Sequence, residues 1–341
     1  RMRGGLAQVD ILVSVIFSGM SGSAIADAAG PGLVTIRQML KKPEYSRGFA
    51  GAVVVASATL GPIIPPSIPM ILYGVSAEVS IGELFIAGFG PGLFIGVALM
   101  FWVWVYCKYK GWGKNDGDGR LSFGKASWQA GWALMMPVII LGGIYGGVFT
   151  PTEASAVAVF YALIVGTLIY REIKLKDLAV IMRKSVLSSA VIMFIIANAG
   201  LFAFLITRAG VPEAIGHWLQ DVLKSPAYFL LGVNAALFLI GMFIETSAAI
   251  IVLAPILAPV AMHFGIDPVH FGLIMVVNLA LGMITPPFGV NLFAACTVAR
   301  ISLDRMIKDL IPFVLVILVC LMVVSYVPAL SLTLRDLVYA K

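Results

Sequence analysis

Two adjacent prolines interrupt an otherwise apolar helical pattern in the stretch LGMITPPFGVNLF, residues 281–293. Proline lacks a backbone N–H and its ring clashes with the preceding turn, so a helix cannot pass intact through Pro286 and Pro287. The break leaves carbonyl groups of residues 282–285 without partners inside the helix. Within lipid, such a break is stable only where it is buried in protein or lines a watery cavity. The sequence therefore predicts a broken helix that faces an interior cavity.

The same interruption occurs earlier, in the stretch LGPIIPPSIPMIL, residues 60–72. Pro66 and Pro287 are 221 positions apart, and at this offset the register continues without a gap as far as Pro91 and Pro312. The matching pairs are Leu60/Leu281, Gly61/Gly282, Ile63/Ile284, Pro65/Pro286, Pro66/Pro287, Glu83/Asp304, Ile86/Ile307 and Pro91/Pro312. Interrupted hydrophobic segments at corresponding positions of two halves indicate an internal repeat and the binding site of a secondary transporter.

The composition excludes an ordinary soluble domain. Of the 341 residues, 60% are hydrophobic and 12% are charged, and the mean hydropathy is +1.02. A chain of this length and composition is expected to be an all-α polytopic membrane protein. The formal net charge of +6 comes from basic residues in short runs between the apolar segments. Such runs indicate membrane topology and contact with anionic membrane lipids, and not nucleic-acid binding.

The pattern divides the chain into two inverted repeats that flank a set of scaffold helices. In the first repeat, residues 1–106, small residues split the apolar stretch 5–40 at positions 18–23. Each arm is shorter than the ~20 residues that span a bilayer, so we predict a re-entrant hairpin. A broken helix over residues 48–75 and a full span over residues 83–106 follow.

The rest of the chain repeats this order after a connecting segment. Residues 107–226 are connecting and scaffold helices, with spans near 128–145, 152–170 and 184–207 and a short amphipathic surface helix between 208 and 225. The second repeat, residues 227–328, has a hairpin at 227–263, a broken helix at 268–298 and a span at 306–326. Residues 329–341 are predicted to be a C-terminal tail.

The distribution of lysine and arginine predicts which side of the membrane each segment faces. If each hairpin returns to the side it enters from and every other apolar segment crosses once, 19 of the 23 basic residues share one side. By the positive-inside rule that side is cytoplasmic. The first hairpin then enters from the cytoplasm and the second from outside, so the two repeats have inverted topology.

Acidic and hydroxyl side chains near the two hairpin tips are candidates for a cation site. A charge at the bilayer centre costs about 2.5–3.5 kcal/mol on insertion scales, so Asp27 and Glu245 need a partner or a function. They either polarise a cation or substrate site or cap backbone amides at the tips, and the sequence leaves both roles open.

Hydroxyl oxygens at the tips and carbonyl groups released by the helix breaks could together coordinate Na⁺, although small polar residues are also routine packing groups in membrane helices. We expect the carbonyl groups of residues 282–285 to face residues 245–247 across the ion. The predicted Na⁺ site comprises Ser21, Gly22, Ser23, Asp27, Gly61, Pro62, Glu245, Thr246, Ser247, Gly282 and Thr285.

Three further polar side chains are candidates for binding an organic substrate. Ser67 and Asn291 follow the double prolines, in the second half of each broken helix, and Asn198 lies in the run FIIANAGLF. Each could hydrogen-bond a substrate, and each could instead bond a neighbouring helix. For Asn198, the bond between helices is the slightly stronger interpretation.

Three runs carry a resemblance to a known family: RGGLAQVDILVSVIFSGMSGSAIADAAGPG, LGPIIPPSIPMILYGVSAEVSIGELFIAGFGPGL and LGMITPPFGVNLF. From about Arg3 to the C-terminus, the chain resembles the large membrane subunit of TRAP transporters, the tripartite ATP-independent periplasmic systems. The family's large subunit has additional leading helices, so we expect this chain to begin inside a longer polypeptide.

The resemblance implies a specific function. It implies an elevator-type, Na⁺-coupled importer of an organic acid, a C4-dicarboxylate or a sialic acid, in the bacterial inner membrane. It also implies two protein partners, a periplasmic substrate-binding protein and a small membrane subunit. In the family, the two hairpins and the two broken helices form the moving transport domain, and the other helices form a scaffold.

Other functions fit the sequence less well. An intramembrane enzyme is disfavoured because the paired aspartates of aspartyl proteases, HExxH and GxSxG are all missing from the sequence. A Walker motif is missing as well, so we do not expect ATP to be the direct energy source of this chain. The coupling ion that the resemblance implies is Na⁺, and no organic cofactor is expected. A channel is disfavoured because two inverted breaks at mid-depth favour alternating access. The closest alternative is a stand-alone Na⁺/dicarboxylate or ion transporter with the same hairpin and broken-helix plan.

Overall fold

The computed structural model describes residues 3–112, 123–210, 214, 225–299 and 301–339. Within these ranges every regular element is a helix, which confirms the all-α class. Among the described residues, five helices are long and apolar enough to cross a membrane: Ile81–Lys110, Pro151–Ile169, Lys176–Phe202, Thr246–His263 and Leu303–Tyr326. The predicted surface helix between residues 208 and 225 lies largely outside the described ranges.

The chain forms two compact units. The first unit contains the described residues of 1–116 and 206–341, and the second contains those of 117–205. All the predicted site residues belong to the first unit except Asn198, which belongs to the second.

Six helices form the first half of the first unit: α1 (Gly5–Ser21), α2 (Ala24–Ala29), α3 (Pro31–Met39), α4 (Arg47–Ala58), α5 (Ile68–Ser76) and α6 (Ile81–Lys110). The sequence predicts a split over residues 18–23, and the end of α1 at Ser21 falls inside this range. The Ser18 hydroxyl donates to the Ser14 carbonyl oxygen at 2.6 Å, so this small polar residue stays inside the helix. The chain turns at Gly22, whose φ of +59° favours glycine.

The second unit contains α7 (Phe123–Tyr145), α8 (Pro151–Ile164) and most of α9 (Leu175–Arg208). A π-helical turn, Val165–Ile169, continues α8. Helices α7 and α8 pack through the buried side chains of Ile140, Ala154 and Ala158. The most apolar window of α9 has no described residue buried within the chain, so this surface is available to lipid or to another protein.

Six more helices form the second half of the first unit: α10 (Pro226–Gly241), α11 (Thr246–His263), α12 (Pro268–Gly282), α13 (Val290–Ala299), α14 (Leu303–Tyr326) and α15 (Ala329–Tyr339). Residues 329–341, predicted as a tail, therefore contain a helix. Helix α15 packs along α6, where a Cβ atom at Gly90 would collide with the Leu330 carbonyl oxygen. Because Gly90 has no side chain, the two backbones can touch.

Both double prolines lie in non-helical segments, residues 59–67 between α4 and α5 and residues 283–289 between α12 and α13. The backbone at the second break is better paired than the sequence predicts. The Gly282 carbonyl accepts the Thr285 amide at 2.9 Å, and the Met283 carbonyl accepts the Asn291 amide at 3.2 Å. The chain turns tightly after α12. This turn lets the amides of Thr285 and Asn291 donate to carbonyl groups that would have no partner because of the prolines.

The two halves of the first unit are interlocked. Helix α4 packs against α14 of the second half, and α6 packs against α12. The helices that follow the double prolines also cross between halves, since α5 packs against α11 and α13 packs against α2 and α3. Inside this core, the Asn278 side chain donates to the Asn234 side-chain oxygen at 2.8 Å, and Asn234 donates to the Ser325 hydroxyl at 3.0 Å. This buried network joins α10, α12 and α14.

Polar contacts mark the two ends of the first unit. At one end, Arg3 donates to the Lys108 carbonyl at 3.3 Å and Ser46 donates to Asp309 at 3.2 Å. At the other end, Arg335 pairs with Asp267 at 2.7 Å. Helix α6 runs from Ile81 near Arg335 to Lys110 near Arg3, a length of about 45 Å at 1.5 Å per residue. Arg3 and Arg335 thus lie at opposite ends of the unit, as the count of basic residues predicts. Which end faces the cytoplasm stays a prediction.

Asp267 stabilises the start of α12. Its carboxylate accepts the amides of Val269 and His270 at 2.8 and 3.1 Å and pairs with Arg335. Burial would raise the pKa of Asp267, but the hydrogen bonds from Arg335 and the two amides outweigh it and lower the pKa below its usual value.

We therefore expect Asp267→Ala to lower the free energy of unfolding by about 1–2 kcal/mol, the usual cost of losing a helix N-cap. Asp336→Ala, which removes an exposed partner of the same Arg335, should cost no more than about 1 kcal/mol. Because the folded-state pKa of Asp267 is lowered, its contribution should be complete above the usual carboxyl pKa and should vanish as the pH falls through the lowered value. Thermal unfolding of both variants across pH measures this, and equal losses would contradict it.

Candidate functional site

Two turns at the starts of α2 and α11 meet in the first unit. We call residues 22–25 the first tip and residues 245–247 the second tip. At the first tip, the Ser23 hydroxyl accepts the Ala26 amide at 3.4 Å and caps α2. At the second, the Glu245 carboxylate accepts the Ser247 and Ala248 amides at 2.8 and 3.1 Å. The sequence left open whether Glu245 polarises a binding site or caps backbone amides, and in the structure it caps amides.

A small cavity of about 30 Å³ lies between the two tips. Its walls are formed by Gly22, Ser23, Ala24, Ile25, Pro62, Ile68, Pro69, Glu245, Thr246, Ser247 and Met283. A cavity of about 10–15 Å³ holds one water molecule, so this one has room for a water molecule or a small ion. Six of the predicted cation-site residues therefore converge here, from both halves of the chain.

Three side chains of this wall carry a hydroxyl group, and Glu245 carries a carboxyl group. The Ser247 hydroxyl donates to Glu245 at 2.9 Å, so the Glu245 carboxyl group accepts three hydrogen bonds in all. The buried Thr246 hydroxyl lies 2.8 Å from the Met283 sulfur. Hydroxyl and carboxylate oxygens are hard ligands, of the kind that Na⁺ and other hard cations prefer.

Glycine allows the broken helices to approach the tip segments. A Cβ atom at Gly61 would lie 2.9 Å from the Ser23 carbonyl carbon, and one at Gly282 would lie 2.5 Å from the backbone of Gly241. Real Cβ atoms do not come this close to a backbone, so only glycine fits at either position. Gly61 thus lets the first broken helix touch the first tip, and Gly282 lets the second touch the end of α10. Neither residue lines the cavity.

Three other residues of the predicted cation site lie away from the cavity. The Ser21 hydroxyl accepts the Ser23 amide at 3.5 Å. The Thr285 hydroxyl donates to the Leu281 carbonyl at 2.8 Å, and Thr285 lines a separate apolar groove against α14. Asp27 is buried behind the first tip, on α2.

The three predicted substrate residues do not line the cavity between the tips. Ser67 caps α5, since its hydroxyl accepts the Met70 amide at 3.2 Å and donates to the Pro62 carbonyl. Asn291 is buried on α13, and neither its amide nitrogen nor its amide oxygen has a hydrogen-bond partner. Asn198 is exposed on α9 in the second unit, where its amide donates to the Phe194 carbonyl at 2.7 Å.

Comparison with known sequences decides the family. The model of the family described as "Tripartite ATP-independent periplasmic transporter, DctM component" matches residues 1–330. This chain belongs to that family. The resemblance of its three sequence runs to the large TRAP subunit is thereby confirmed.

Named permeases are similar to this DctM-family chain over nearly its whole length. It is 42% identical to the C4-dicarboxylate TRAP transporter large permease protein DctM of Pseudomonas aeruginosa, across 98% of this chain and 78% of that protein. It is 38% identical to the sialic acid TRAP transporter large permease protein SiaM of Vibrio cholerae, across 98% and 78%. It is also 42% identical to the isethionate TRAP transporter permease protein DctMQ of Oleidesulfovibrio alaskensis, across 96% of this chain and 52% of that longer protein. These relatives are permeases, so the chain is a multi-pass membrane protein of a transport family.

One buried acidic residue in a polar cluster was not predicted from the sequence. Asp10, on α1, is buried, and its carboxylate accepts hydroxyl hydrogen bonds from Ser57 at 2.7 Å and from Thr35. The sequence carries a usable signal, because Asp10, Ser14 and Ser18 recur every four residues and so share one face of an apolar helix. An acid on such a face indicates a buried polar cluster.

The close approach at Gly282 can be tested in this permease by adding one methyl group. We expect Gly282→Ala to lower the free energy of unfolding by about 1–3 kcal/mol, because a Cβ atom there collides with a backbone that cannot move aside. Gly232→Ala on α10 is the matched control, since no heavy atom lies within 4 Å of its added Cβ atom. Thermal unfolding of the purified protein measures both, and equal stability would contradict the packing of α12 on α10.

Proposed function

We propose that this chain is the large membrane subunit of a Na⁺-coupled importer, which takes an organic anion from a periplasmic substrate-binding protein. The observation that carries the proposal is the cavity between the two tips, where oxygen-bearing residues from both halves converge. Family membership supports the transport function itself. An internal repeat with two interrupted helices supports alternating access around a site at mid-depth.

Na⁺ is the coupling ion that the wall of the cavity fits. Ser23, Glu245 and Ser247 offer hydroxyl and carboxylate oxygens, and the Pro62 residue at the first break adds backbone to the same wall. Inward movement of Na⁺ gains about 2.3 kcal/mol per charge for each 100 mV of membrane potential. Two ions would therefore offset one negative charge on the substrate and leave a net driving force.

The substrate is an organic acid, and a C4-dicarboxylate or a sialic acid is the leading candidate. The names of similar permeases include both of these and isethionate, so a negative charge is what their substrates share. The cavity between the tips is assigned to the ion. The proposed cycle is of the elevator type, with the two re-entrant hairpins and the two broken helices in the moving domain.

Two protein partners complete the proposed transporter, a small membrane subunit and the periplasmic binding protein. The apolar surface of α9, which the chain does not bury, supports contact with a membrane partner or with lipid. The complex would reside in the bacterial inner membrane. A stand-alone Na⁺/dicarboxylate or ion transporter with the same plan is the alternative.

Uptake of radiolabelled organic acid into proteoliposomes that hold both membrane subunits tests the proposal. We expect uptake only with the binding protein present and only with an inward Na⁺ gradient. Uptake of free substrate without the binding protein would contradict the tripartite assignment and favour the stand-alone transporter. Uptake that is equal in KCl and NaCl gradients would contradict Na⁺ coupling.

The cavity itself can be tested by removing one oxygen. Ser23→Ala should raise the half-saturating Na⁺ concentration for uptake about tenfold, the equivalent of ~1.4 kcal/mol for one lost polar contact. Ser155→Ala is the matched control, because the Ser155 hydroxyl bonds the Thr152 carbonyl on an exposed surface of the second unit. An unchanged Na⁺ titration for Ser23→Ala would place the ion elsewhere.

A further inference from the structure

Two contacts join α10 to α12 and lead towards the second tip. The Asn278 side chain donates to the side-chain oxygen of Asn234 at 2.8 Å and to its carbonyl oxygen at 3.2 Å. Closer to the ends of both helices, the backbones of Gly241 and Gly282 touch, since a Cβ atom at Gly282 would lie 2.5 Å from Gly241. Residues four or seven positions apart share one face of a helix, so both contacts belong to one interface. We call these four residues the seam.

The seam ends next to the wall of the cavity. Helix α10 ends at Gly241, and a short turn leads from there to the second tip. Helix α12 ends at Gly282, and Met283 is the next residue. Met283 and Thr246 both line the cavity, and the Thr246 hydroxyl lies 2.8 Å from the Met283 sulfur. The spacing of these two side chains therefore depends on how α12 is placed along α10.

The two tips are held to the helix breaks in different ways. At the first tip, the Ile68 amide donates to the Gly22 carbonyl oxygen at 3.4 Å, so the backbone itself ties this tip to the first break. Among the described residues, no backbone hydrogen bond joins residues 245–247 to residues 283–289. The contact between hydroxyl and thioether is weak, because sulfur is a weak acceptor. The position of the second tip consequently relies on the helices that carry it.

The asparagine pair contributes alignment more than stability. Asn234 and Asn278 are 4% and 0% exposed, and the Ser325 hydroxyl of α14 accepts a further hydrogen bond from Asn234 at 3.0 Å. Replacing both partners of a buried hydrogen bond by apolar groups of the same shape is nearly neutral for stability. A buried asparagine specifies one alignment of two packed helices, whereas a purely apolar interface also tolerates a shifted one.

We propose that Asn234 and Asn278 are positioning residues for the ion between the tips. Their hydrogen bonds fix α12 along α10 and thereby set the spacing of Met283 and Thr246 in the cavity wall. The inference rests on the Na⁺ binding of the proposed function. Neither asparagine lines the cavity, so both act through the seam and not as ligands.

The test measures Na⁺-dependent thermal stabilisation of the purified full chain with its small subunit, in NaCl and KCl mixtures of constant ionic strength. The double variant Asn234→Leu/Asn278→Leu removes both hydrogen-bonding groups and keeps side chains of similar size. We expect the Na⁺ concentration for half-maximal stabilisation to rise about tenfold, as is usual when a group that orients a metal site is lost. Without Na⁺, the unfolding temperature should stay close to that of the unmodified protein.

Two single variants separate positioning from stability. Asp267→Ala weakens the start of the same α12, and Ser325→Ala removes a partner of Asn234 but leaves the asparagine pair intact. Both should lower the unfolding temperature and leave the Na⁺ titration unchanged. An equal shift of the Na⁺ titration in these variants and in the double variant would overturn the proposal, because the shift would then follow stability alone.

Asn278→Gln keeps the test independent of the folding of the double variant. It retains the amide group but moves it outward by one methylene group, so a hydrogen bond to Asn234 then requires a different alignment of α12. The half-maximal Na⁺ concentration should rise here as well. An unchanged Na⁺ titration in Asn278→Gln would refute the inference.

Two outcomes distinguish this inference from the proposed function. If Ser23→Ala shifts the Na⁺ titration but the asparagine variants do not, the asparagines serve packing alone, so the inference fails and the proposed function stands. If the unmodified transporter shows no Na⁺ dependence in uptake or in stability, the proposed function fails, and the inference fails with it.

Discussion

The close approach of bare backbone segments is the contact on which the rest of the structure depends. At Gly61 the first broken helix touches the first tip, and at Gly282 the second broken helix touches the end of α10. In a protein surrounded by lipid, a broken helix must satisfy its polar backbone inside the protein. Tight turns after α12 and caps at Ser23, Ser67 and Glu245 do this here, so the breaks can exist at all.

The crossing of helices between the halves follows from these contacts. Helix α5 of the first half packs on α11, which begins at the second tip. Helix α13 of the second half packs on α2, which begins at the first tip, and on α3. Each half therefore supports the tip of the other. The two tips are thereby brought to one cavity, although they are more than two hundred positions apart in the chain. Each tip therefore rests on a helix of the opposite half.

Much of this could be predicted because local chemistry decides it. Double prolines stop a helix in any context, so the breaks at residues 59–67 and 283–289 follow from the sequence. Other features depend on contacts between residues that the sequence alone does not reveal. Helix α1 ends at Ser21, late in the predicted split, because Ser18 bonds within its own helix, and the residues predicted as a C-terminal tail form a helix against α6. Asp27 and Thr285 resemble tip residues in the sequence but face other surroundings in the fold.

The sequence by itself determined the all-α class, the helix breaks and the family, because proline geometry, hydropathy and spacing are local properties of the chain. Only the tertiary structure decided which polar residues meet. Ser23, Glu245 and Ser247 line one cavity, whereas Asp27 is buried on α2 and does not line it. The reason is geometric. The partners of a side chain depend on how the helices pack and on which face of each helix points inward. Neighbouring residues of one helix can therefore lie on opposite faces, one at a cavity and the other away from it.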